Sequence, residues 1–162
     1  NRLKRSTERF RRAGLHNIQT QPLSSEKDKW VTRHKGTFDR VLVDAPCSGF
    51  GTLRRNPDLK WRQNAQGVAE LTVKQRSILA AAATLVKPGG RLVYATCSFL
   101  RMENRDVVTD FLASHASFKL LPANDVLRQQ HIDLDTGDFL ELAPQRHGCD
   151  GFFAAVMERN TS

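Results

Sequence analysis

The sequence predicts an α/β fold organised around a mainly parallel sheet. Two continuous apolar runs, Phe38–Asp44 and Arg91–Thr96, have the composition of strands that are buried on both faces. Apolar positions between them recur at a helical period from Val68 to Val86, which indicates a strand–helix–strand crossover with parallel strands. Two shorter strand-like runs, Phe139–Leu142 and Phe152–Met157, are separated by a turn and predict an antiparallel pair that closes the sheet.

Three segments precede the first buried run. Apolar positions on one helical face, followed by a stop at Gly14, predict an opening amphipathic helix. Residues 1–12 carry six basic side chains and one acidic one, which favours a solvated outer face over a direct contact with nucleic acid. Asn17–Leu23 predicts a short strand, and the polar segment Ser24–Gly36 predicts a loop with room for a helical turn.

Loop signals punctuate the rest of the chain. Phe50–Arg62 is rich in Arg, Gly, Asn and Pro and predicts a long loop. Pro88–Gly90 is expected to end the central helix and turn the chain. Glu103–His115 predicts a further helix, and the stretch that follows it, as far as Asp135, predicts irregular structure.

Composition limits the class of protein. The chain has 162 residues, of which 40% are apolar and 26% charged, as in one globular domain rather than a disordered chain. It contains no run of about 18 consecutive apolar residues, so no membrane-spanning helix is predicted. The first residues, Asn-Arg-Leu-Lys-Arg, include neither Met nor an apolar run. We therefore expect no secretion signal, and a chain that begins inside a larger protein.

Charge and cysteine usage narrow the partners. Lys and Arg number 25 against 17 Asp and Glu, and the net charge of +8 raises the expectation of a polyanionic partner such as nucleic acid. Cys47, Cys97 and Cys149 form no CxxC pair, so neither a disulfide framework nor a zinc finger is expected. The histidines show no metal-ligand spacing, and no metal site is predicted. Free thiols without a secretion signal predict a reducing, cytoplasmic setting.

Two of the cysteines follow the two predicted parallel strands. Cys47 comes just after the strand that ends at Asp44, and Cys97 directly follows Thr96. Because ligands of open α/β sheets bind at the carboxyl ends of the strands, the two thiols are expected to converge on one site. The alternative is that each cysteine is a small buried apolar residue, which is a common fate of free cysteine.

Several short motifs carry a family resemblance. Asp44–Gly49 reads Asp-Ala-Pro-Cys-Ser-Gly, Thr96–Ser98 reads Thr-Cys-Ser, and Leu85–Gly90 precedes the latter. Glu103-Asn104 and the segment His147–Phe153 complete the pattern. Together they resemble the RNA (cytosine-5) methyltransferases of the Sun/Fmu type, which modify ribosomal RNA. The resemblance spans essentially the whole chain.

The resemblance implies a Rossmann-like class I methyltransferase sheet. Its first two strands, with the glycine-rich cofactor loop, would lie before residue 1. Residues 1–162 would then be the C-terminal part of a single S-adenosylmethionine-dependent methyltransferase domain. One edge of the strand Phe38–Asp44 would lack its hydrogen-bonding neighbour, since the family's first strand lies there.

The resemblance also implies roles for four residues. Cys97 would be the nucleophile that adds to carbon 6 of the cytosine, because a thiolate makes carbon 5 reactive toward a methyl donor. Cys47 would assist product release. Asp44 would contact the base edge and the cofactor, and Pro46 would line the cofactor site for S-adenosylmethionine.

A basic cluster follows the first of these motifs. We predict RNA contacts for Arg54, Arg55, Lys60, Trp61 and Arg62, with the cations on phosphates and Trp61 stacked on a base. Trp61 packed under its own loop, with solvated cations around it, is the competing interpretation.

Three alternatives remain open at this point. In DNA cytosine methyltransferases the Pro-Cys motif supplies the nucleophile, so Cys47 is the competing candidate to Cys97. A cysteine hydrolase is conceivable, although no motif brings a histidine beside either thiol. The chain is alternatively a truncated or inactive fragment that binds RNA without chemistry.

Overall fold

The computed structural model describes residues 2–161, which form seven helices, five strands and two short 3-10 turns. The helices are α1 (Arg2–Arg12), α2 (Lys29–Arg33), α3 (Leu59–Arg62), α4 (Ala65–Ala83), α5 (Arg105–Ser114), α6 (Ala123–Gln129) and α7 (Pro144–His147). The strands are β1 (Phe38–Asp44), β2 (Val86–Thr96), β3 (Phe118–Leu121), β4 (Leu140–Leu142) and β5 (Phe152–Arg159), and the turns are Phe50–Thr52 and Arg101–Glu103. Within this range no helix is long and apolar enough to cross a membrane.

The strands form one mixed sheet in the order β1-β2-β5-β3, and β4 also pairs with β5. β1 and β2 are parallel, whereas β5 runs antiparallel to β2, β3 and β4. Four strands therefore point one way and β5 points the other way. This confirms the predicted α/β fold, with a mainly parallel sheet and a closing antiparallel pair.

Helix α4 is the crossover between the two parallel strands and packs against both. It begins where the Asn64 side chain accepts a hydrogen bond from the Gly67 amide at 2.7 Å, an N-cap that satisfies an otherwise unpaired donor. Its buried residues recur every three or four positions. They are Val68, Thr72, Gln75, Leu79, Ala82 and Ala83. Leu79 packs in the core with Leu92, Tyr94 and Met157 of the sheet.

Strand β1 is less buried than its apolar sequence predicts. Val43 is buried against the core, but Leu42, on the opposite face, is 68% exposed. Arg40 and Asp44, its neighbours on that face, are also exposed. The prediction of burial on both faces is wrong because α4 covers the face that carries Val43, whereas the opposite face of β1 is left exposed by the described residues. β1 is also an edge strand of the described sheet. The predicted free edge of β1 is therefore present in the described part of the chain.

The segment before β1 differs from one expectation. Asn17–Leu23 is irregular and exposed rather than a strand, because no strand among residues 2–161 lies beside it to pair with its amides. The helical turn allowed for in Ser24–Gly36 is α2, capped by the Asp28 carboxylate, which accepts from the Trp30 amide at 2.9 Å. Arg5, Arg9, Arg11 and Arg12 of α1 are exposed.

The central helix and the second strand meet earlier than predicted. α4 ends at Ala83, and its exit carbonyls on Thr84 and Leu85 accept hydrogen bonds from the amides of residues 36–38. β2 therefore begins at Val86, and Pro88–Gly90 lies within the strand rather than at a helix end. Pro88 is tolerated because the register of β1 and β2 is irregular between Phe38 and Arg40, where its missing amide breaks no ladder bond.

Two short elements occupy the stretch predicted to be irregular. β3 pairs with β5, and α6 follows Pro122. A four-residue strand is too short for a periodic signal, and its stability comes from β5, which is distant in sequence. The helix predicted over Glu103–His115 is present as α5, with Val107, Val108 and Phe111 buried.

Candidate active site

The carboxyl ends of β1 and β2 bring two loops side by side. Asp44 lies opposite Ala95 in the parallel ladder, and the Ala45 amide donates to the Ala95 carbonyl at 2.9 Å. The two strands therefore end level with each other. The loops that leave them carry Cys47 and Cys97.

The thiols of Cys47 and Cys97 are in contact, with their sulfur atoms 3.4 Å apart. Both residues are half-buried, and neither forms a disulfide. The predicted convergence of the two thiols is confirmed. Burial, followed by the hydrogen bond with Cys97, raises the pKa of the Cys47 thiol. Cys47 therefore stays protonated at neutral pH and can donate to the sulfur of Cys97.

A buried carboxylate lies beneath the Cys47 loop. Glu103 accepts from the Ser48 amide at 2.8 Å, from the Ser48 hydroxyl at 2.6 Å and from the Gln75 side-chain amide at 3.1 Å. The Gln75 amide also donates to the Pro46 carbonyl at 2.9 Å. The residues on both sides of Cys47 are thus bound to the same buried polar cluster.

The residues on both sides of Cys97 belong to an adjoining polar cluster. The Thr96 hydroxyl donates to the Asn104 side-chain carbonyl at 2.6 Å, and the Asn104 amide donates to the Ser98 carbonyl at 2.9 Å. The Ser98 hydroxyl lies 3.2 Å from the Ser48 hydroxyl, which joins the two clusters. Tyr94 donates to the Glu103 carbonyl at 2.7 Å.

Two glycines let the loops around Cys47 and Cys97 approach each other closely. The Gly51 amide donates to the Cys97 carbonyl at 2.9 Å, and the Gly151 amide donates to the Gly51 carbonyl at 2.8 Å. A Cβ atom on Gly51 would lie 2.8 Å from the Cys97 carbonyl oxygen and 2.7 Å from the Gly151 carbonyl carbon. These are backbone atoms, so a side chain at residue 51 would separate the loops.

Asp44 and Pro46, the two predicted cofactor residues, lie at the same edge of the sheet and are exposed. An exposed carboxylate and proline ring at the carboxyl ends of strands fit one wall of a site for a polar cofactor such as S-adenosylmethionine. The described residues around them do not enclose such a group. The Asp44 side chain shares the exposed face of β1 with Leu42.

Arg54 and Arg55, two of the three arginines predicted to bind RNA, differ in their contacts. Arg55 donates through Nε to Asp150 Oδ2 at 2.7 Å, and its Nη2 contacts the same oxygen. The hydrogen bond from Arg55 holds the pKa of Asp150 below its ordinary value. Arg54 lies 3.9 Å from the other oxygen of Asp150, and 57% of its side chain is exposed. Both side chains are exposed, and Arg54 makes the weaker contact with Asp150.

The remaining predicted RNA contacts lie on α3 and are exposed. Trp61 is 81% exposed, so it does not pack under its own loop. The Lys60 ammonium lies 5.0 Å from the centre of the Trp61 ring. Arg62 pairs with Asp58, one helical turn away, at 2.6 Å.

A cavity of about 330 Å³ opens beside the cysteine loops. Phe50 and Phe99 stack with ring centres 6.1 Å apart on its wall, and Phe99 is 59% exposed although it lies two residues after Cys97. Gln145 and Arg54 also line the cavity. Its volume is in the range of small-molecule sites, and its aromatic wall suits a planar ring.

Sequence reasoning assigned no role to the buried polar residues of the site. The signal for Gln75 was available, because this polar residue falls on the apolar face of α4 between Thr72 and Leu79. A polar residue at a core position requires a buried partner. Ser48 and Ser98 carry no such signal, since serine is common in loops.

Several known proteins and solved structures are similar to this chain over most of its length. The Shewanella oneidensis protein named ribosomal RNA small subunit methyltransferase B is 45% identical over 124 residues, which is 76% of this chain and 28% of that protein. The crystal structure of PH0851 matches with a TM-score of 0.86 and 35% identity, over 98% of this chain and 34% of that one. NSun6 from Pyrococcus horikoshii, solved with SFG, matches with a TM-score of 0.81 and 25% identity, over 100% of this chain and 39% of that one.

The sheet and the position of its thiol pair define an α/β protein of the class I methyltransferase fold. The sequence model of the family described as 16S rRNA methyltransferase RsmB/F matches residues 1–158. The chain belongs to this family. It spans between 28% and 39% of the length of the three proteins above.

Proposed function

We propose that this chain is the C-terminal part of the catalytic domain of an S-adenosylmethionine-dependent RNA (cytosine-5) methyltransferase that acts on ribosomal RNA. The observation that carries the proposal is the pair of thiols 3.4 Å apart at the carboxyl ends of two parallel strands. The ribosomal RNA substrate is taken from the name of the Shewanella relative. Because both thiols must be reduced to act, we also propose a reducing, cytoplasmic setting.

Cys97 is the proposed nucleophile. Its sulfur adds to carbon 6 of the cytosine, a new C–S bond forms, and the electron pair of the ring double bond makes carbon 5 nucleophilic. The S-adenosylmethionine cofactor, when bound, supplies the electrophilic methyl group that carbon 5 attacks. The Cys47 thiol, 3.4 Å away and protonated at neutral pH, is available to hydrogen-bond the sulfur of Cys97.

Cys47 is the proposed assistant in product release. After methylation the proton on carbon 5 must leave, and the C–S bond to Cys97 must break so that the ring double bond returns. The Cys47 thiol is placed to give its proton to the leaving sulfur of Cys97 and to take up the proton that carbon 5 releases, so that both cysteines end as thiols. Loss of Cys47 is therefore expected to leave the covalent adduct intact.

Asp44 is proposed to contact both the base edge and the cofactor, with Pro46 beside the cofactor. The Asp44 carboxyl is exposed at the edge of the sheet three residues before Cys47, so it is accessible to both partners. A proton donor near N3 of the cytosine would stabilise the charge that builds on the ring when the thiolate adds.

The exposed basic loop is proposed to contact the RNA. Arg54 and Lys60 present cations for phosphates, and Trp61 presents an aromatic face on which an unpaired base can stack. Arg55 and Arg62 are exposed in the same segment, where Arg55 pairs with Asp150 and Arg62 pairs with Asp58. The cavity beside Phe50 and Phe99 would take a base that is turned out of the RNA.

Methyl transfer tests the proposal directly. The full-length protein is incubated with small-subunit ribosomal RNA lacking its own methylation and with cofactor labelled in the methyl group, and the RNA is digested to nucleosides. We expect the label in 5-methylcytidine. Label in a different nucleoside would overturn the cytosine-5 assignment. RNA binding without any transfer would favour an inactive RNA-binding protein instead.

A further inference from the structure

Glu103 is a carboxylate that the proposed chemistry does not use, although it lies next to the site. Its side chain has no solvent exposure. It accepts three hydrogen bonds, two from Ser48 and one from Gln75. A buried carboxylate is retained at a considerable desolvation cost, which only full pairing offsets. Three neutral donors supply the pairing of Glu103 through hydrogen bonds.

The partners of Glu103 are the immediate neighbours of the two thiols. Ser48 follows Cys47, and its hydroxyl lies 3.2 Å from that of Ser98, which follows Cys97. Asn104, the residue after Glu103, receives the Thr96 hydroxyl and donates to the Ser98 carbonyl. Glu103 and Asn104 thus bind residues next to both thiols: Glu103 binds Ser48, and Asn104 binds Thr96 and Ser98.

We propose that Glu103 is a positioning residue that sets the separation of Cys47 and Cys97. The catalytic meaning of this role rests on the proposed function, but the role itself is a property of the thiol pair. Reacting groups must be held to within about half an ångström of their productive arrangement, and loops do so only when other groups lock them. The Glu103 side chain holds the Cys47 loop directly, and the contact between the Ser48 and Ser98 hydroxyls links it to the Cys97 loop.

The chemistry of the cluster requires a carboxylate in particular. The Ser48 amide, the Ser48 hydroxyl and the Gln75 amide all point hydrogens at the two Glu103 oxygens. A glutamine at residue 103 has one acceptor oxygen and one NH₂ group, so a donor would face a donor. Glu103→Gln keeps the size of the side chain and is expected to position the thiols less well than glutamate and better than alanine.

Phenylarsine oxide measures the separation of the thiols without any cofactor or RNA. The reagent forms two As–S bonds, one to each thiol, and its oxygen leaves as water with the two thiol protons. Its affinity depends on the effective concentration of the second thiol once the first has bound, so we expect Glu103→Ala to lower the affinity by about tenfold or more. Glu103→Gln should fall between alanine and the unchanged chain.

A matched control separates positioning from general destabilisation. Met157→Ala also removes a fully buried side chain, in β5 beside Leu92 and away from the thiols. The expected result is a loss of arsenical affinity in Glu103→Ala but not in Met157→Ala, compared at equal fractions folded. Should Glu103→Ala fail to fold, Ser48→Ala removes one donor to the same carboxylate and is expected to lower the affinity as well. Unchanged affinity in the folded Glu103 or Ser48 variants would overturn the inference. A failure of RNA methylation would leave it standing.

Discussion

The thiol of Cys47 is partly buried, and its sulfur is in contact with the sulfur of Cys97. Burial disfavours the charged form of Cys47, and the hydrogen bond with Cys97 adds to that effect, so the pKa of Cys47 is raised above the ordinary value of 9.0. A protonated Cys47 thiol can donate a hydrogen bond to the sulfur of Cys97. This contact supports the proposal that Cys47 carries a proton for Cys97.

The raised pKa of Cys47 predicts its alkylation behaviour. Since iodoacetamide reacts with thiolates, the rate at Cys47 should stay low at neutral pH and rise only above the pH at which the urea-unfolded chain reacts. Peptide mapping by mass spectrometry across a pH series measures this rate for each cysteine. Equal pH profiles for Cys47 in the folded and unfolded chains would contradict the account.

Gly51 predicts a steric limit at the site. In Gly51→Ala the new methyl group meets the backbone of Cys97 and Gly151, so the hydrogen bonds between the loops must break. Overpacking of this kind lowers the free energy of unfolding by about 1–3 kcal/mol. Gly67→Ala is the control. Gly67 lies in α4, where alanine favours the helix, and the nearest atom to its added Cβ is in the Asn64 side chain at an ordinary 3.4 Å. Denaturant unfolding that ranks Gly51→Ala at or above Gly67→Ala in stability would refute this.

Single residues differ in how far the sequence reveals their roles. Cys47 and Cys97 fall in short motifs directly after strands, so their meeting could be predicted. Ser48 and Gln75 gain their roles from Glu103, which lies 55 and 28 residues away in the sequence. Such partners become visible only when the fold brings the loops together.

Among the elements, β4 is a three-residue strand that is attached to α5 by an ion pair. Arg105 donates to the two oxygens of Glu141 at 2.7 and 2.8 Å, and its guanidinium also lies 5.0 Å from the Phe139 ring. The hydrogen bond from Arg105 lowers the pKa of Glu141 below 4.5. A lowered carboxyl pKa stabilises the fold above the unfolded-state pKa, and this stability is lost as the pH falls through the folded-state pKa.

Glu141→Gln therefore predicts a pH-dependent loss of stability. At neutral pH the variant should be less stable by about 0.2–1 kcal/mol, because both partners are about half exposed and solvent screens the pair. The difference should vanish as the pH falls well below 4.5, where Glu141 is protonated in both states. Thermal unfolding across this range, with Glu70→Gln as the control, measures it. A difference that persists in acid would mean that the ion pair is not its cause.

Elements were predictable in proportion to their length and periodicity. α4 has nineteen residues with a regular buried face, and its existence follows from the sequence although its ends do not. The strand-like run Phe139–Leu142 predicts the pairing of β4 with β5, whereas the sequence pattern around β3 is too short to show that β5 holds it. Asn17–Leu23 has strand-like composition but no neighbour to pair with in the described sheet.

Across the whole molecule, the net charge of +8 leads to a prediction about RNA binding. Arg54 is exposed and lines the cavity beside the thiol loops, whereas Arg55 is held by Asp150. Arg54→Glu should weaken RNA binding and lower the slope of affinity against salt concentration by about one. Lys35→Glu changes the charge equally. Lys35 precedes β1 and therefore lies at the amino ends of the parallel strands, opposite the thiol loops. Filter binding over a salt series should show a smaller effect for Lys35→Glu, and equal effects would argue against an RNA surface at the loop.

At this scale the fold class could be predicted, because a crossover between two apolar runs permits few arrangements. The exposure of Leu42 could not, because the pattern of β1 is that of a strand covered on both faces. Among the described residues, α4 packs on the face of β1 that carries Val43, and the face that carries Leu42 is left exposed.

Cys97 is proposed to form the covalent bond to the cytosine, and Cys47 is proposed to help release it. The most direct test is covalent capture of RNA containing 5-fluorocytosine by the full-length protein with S-adenosylmethionine, since fluorine at carbon 5 blocks the release step. Capture should be lost in Cys97→Ser and kept in Cys47→Ser, and Cys47→Ser should also retain an adduct with ordinary RNA. Capture by Cys97→Ser together with none by Cys47→Ser would make Cys47 the nucleophile and contradict the account.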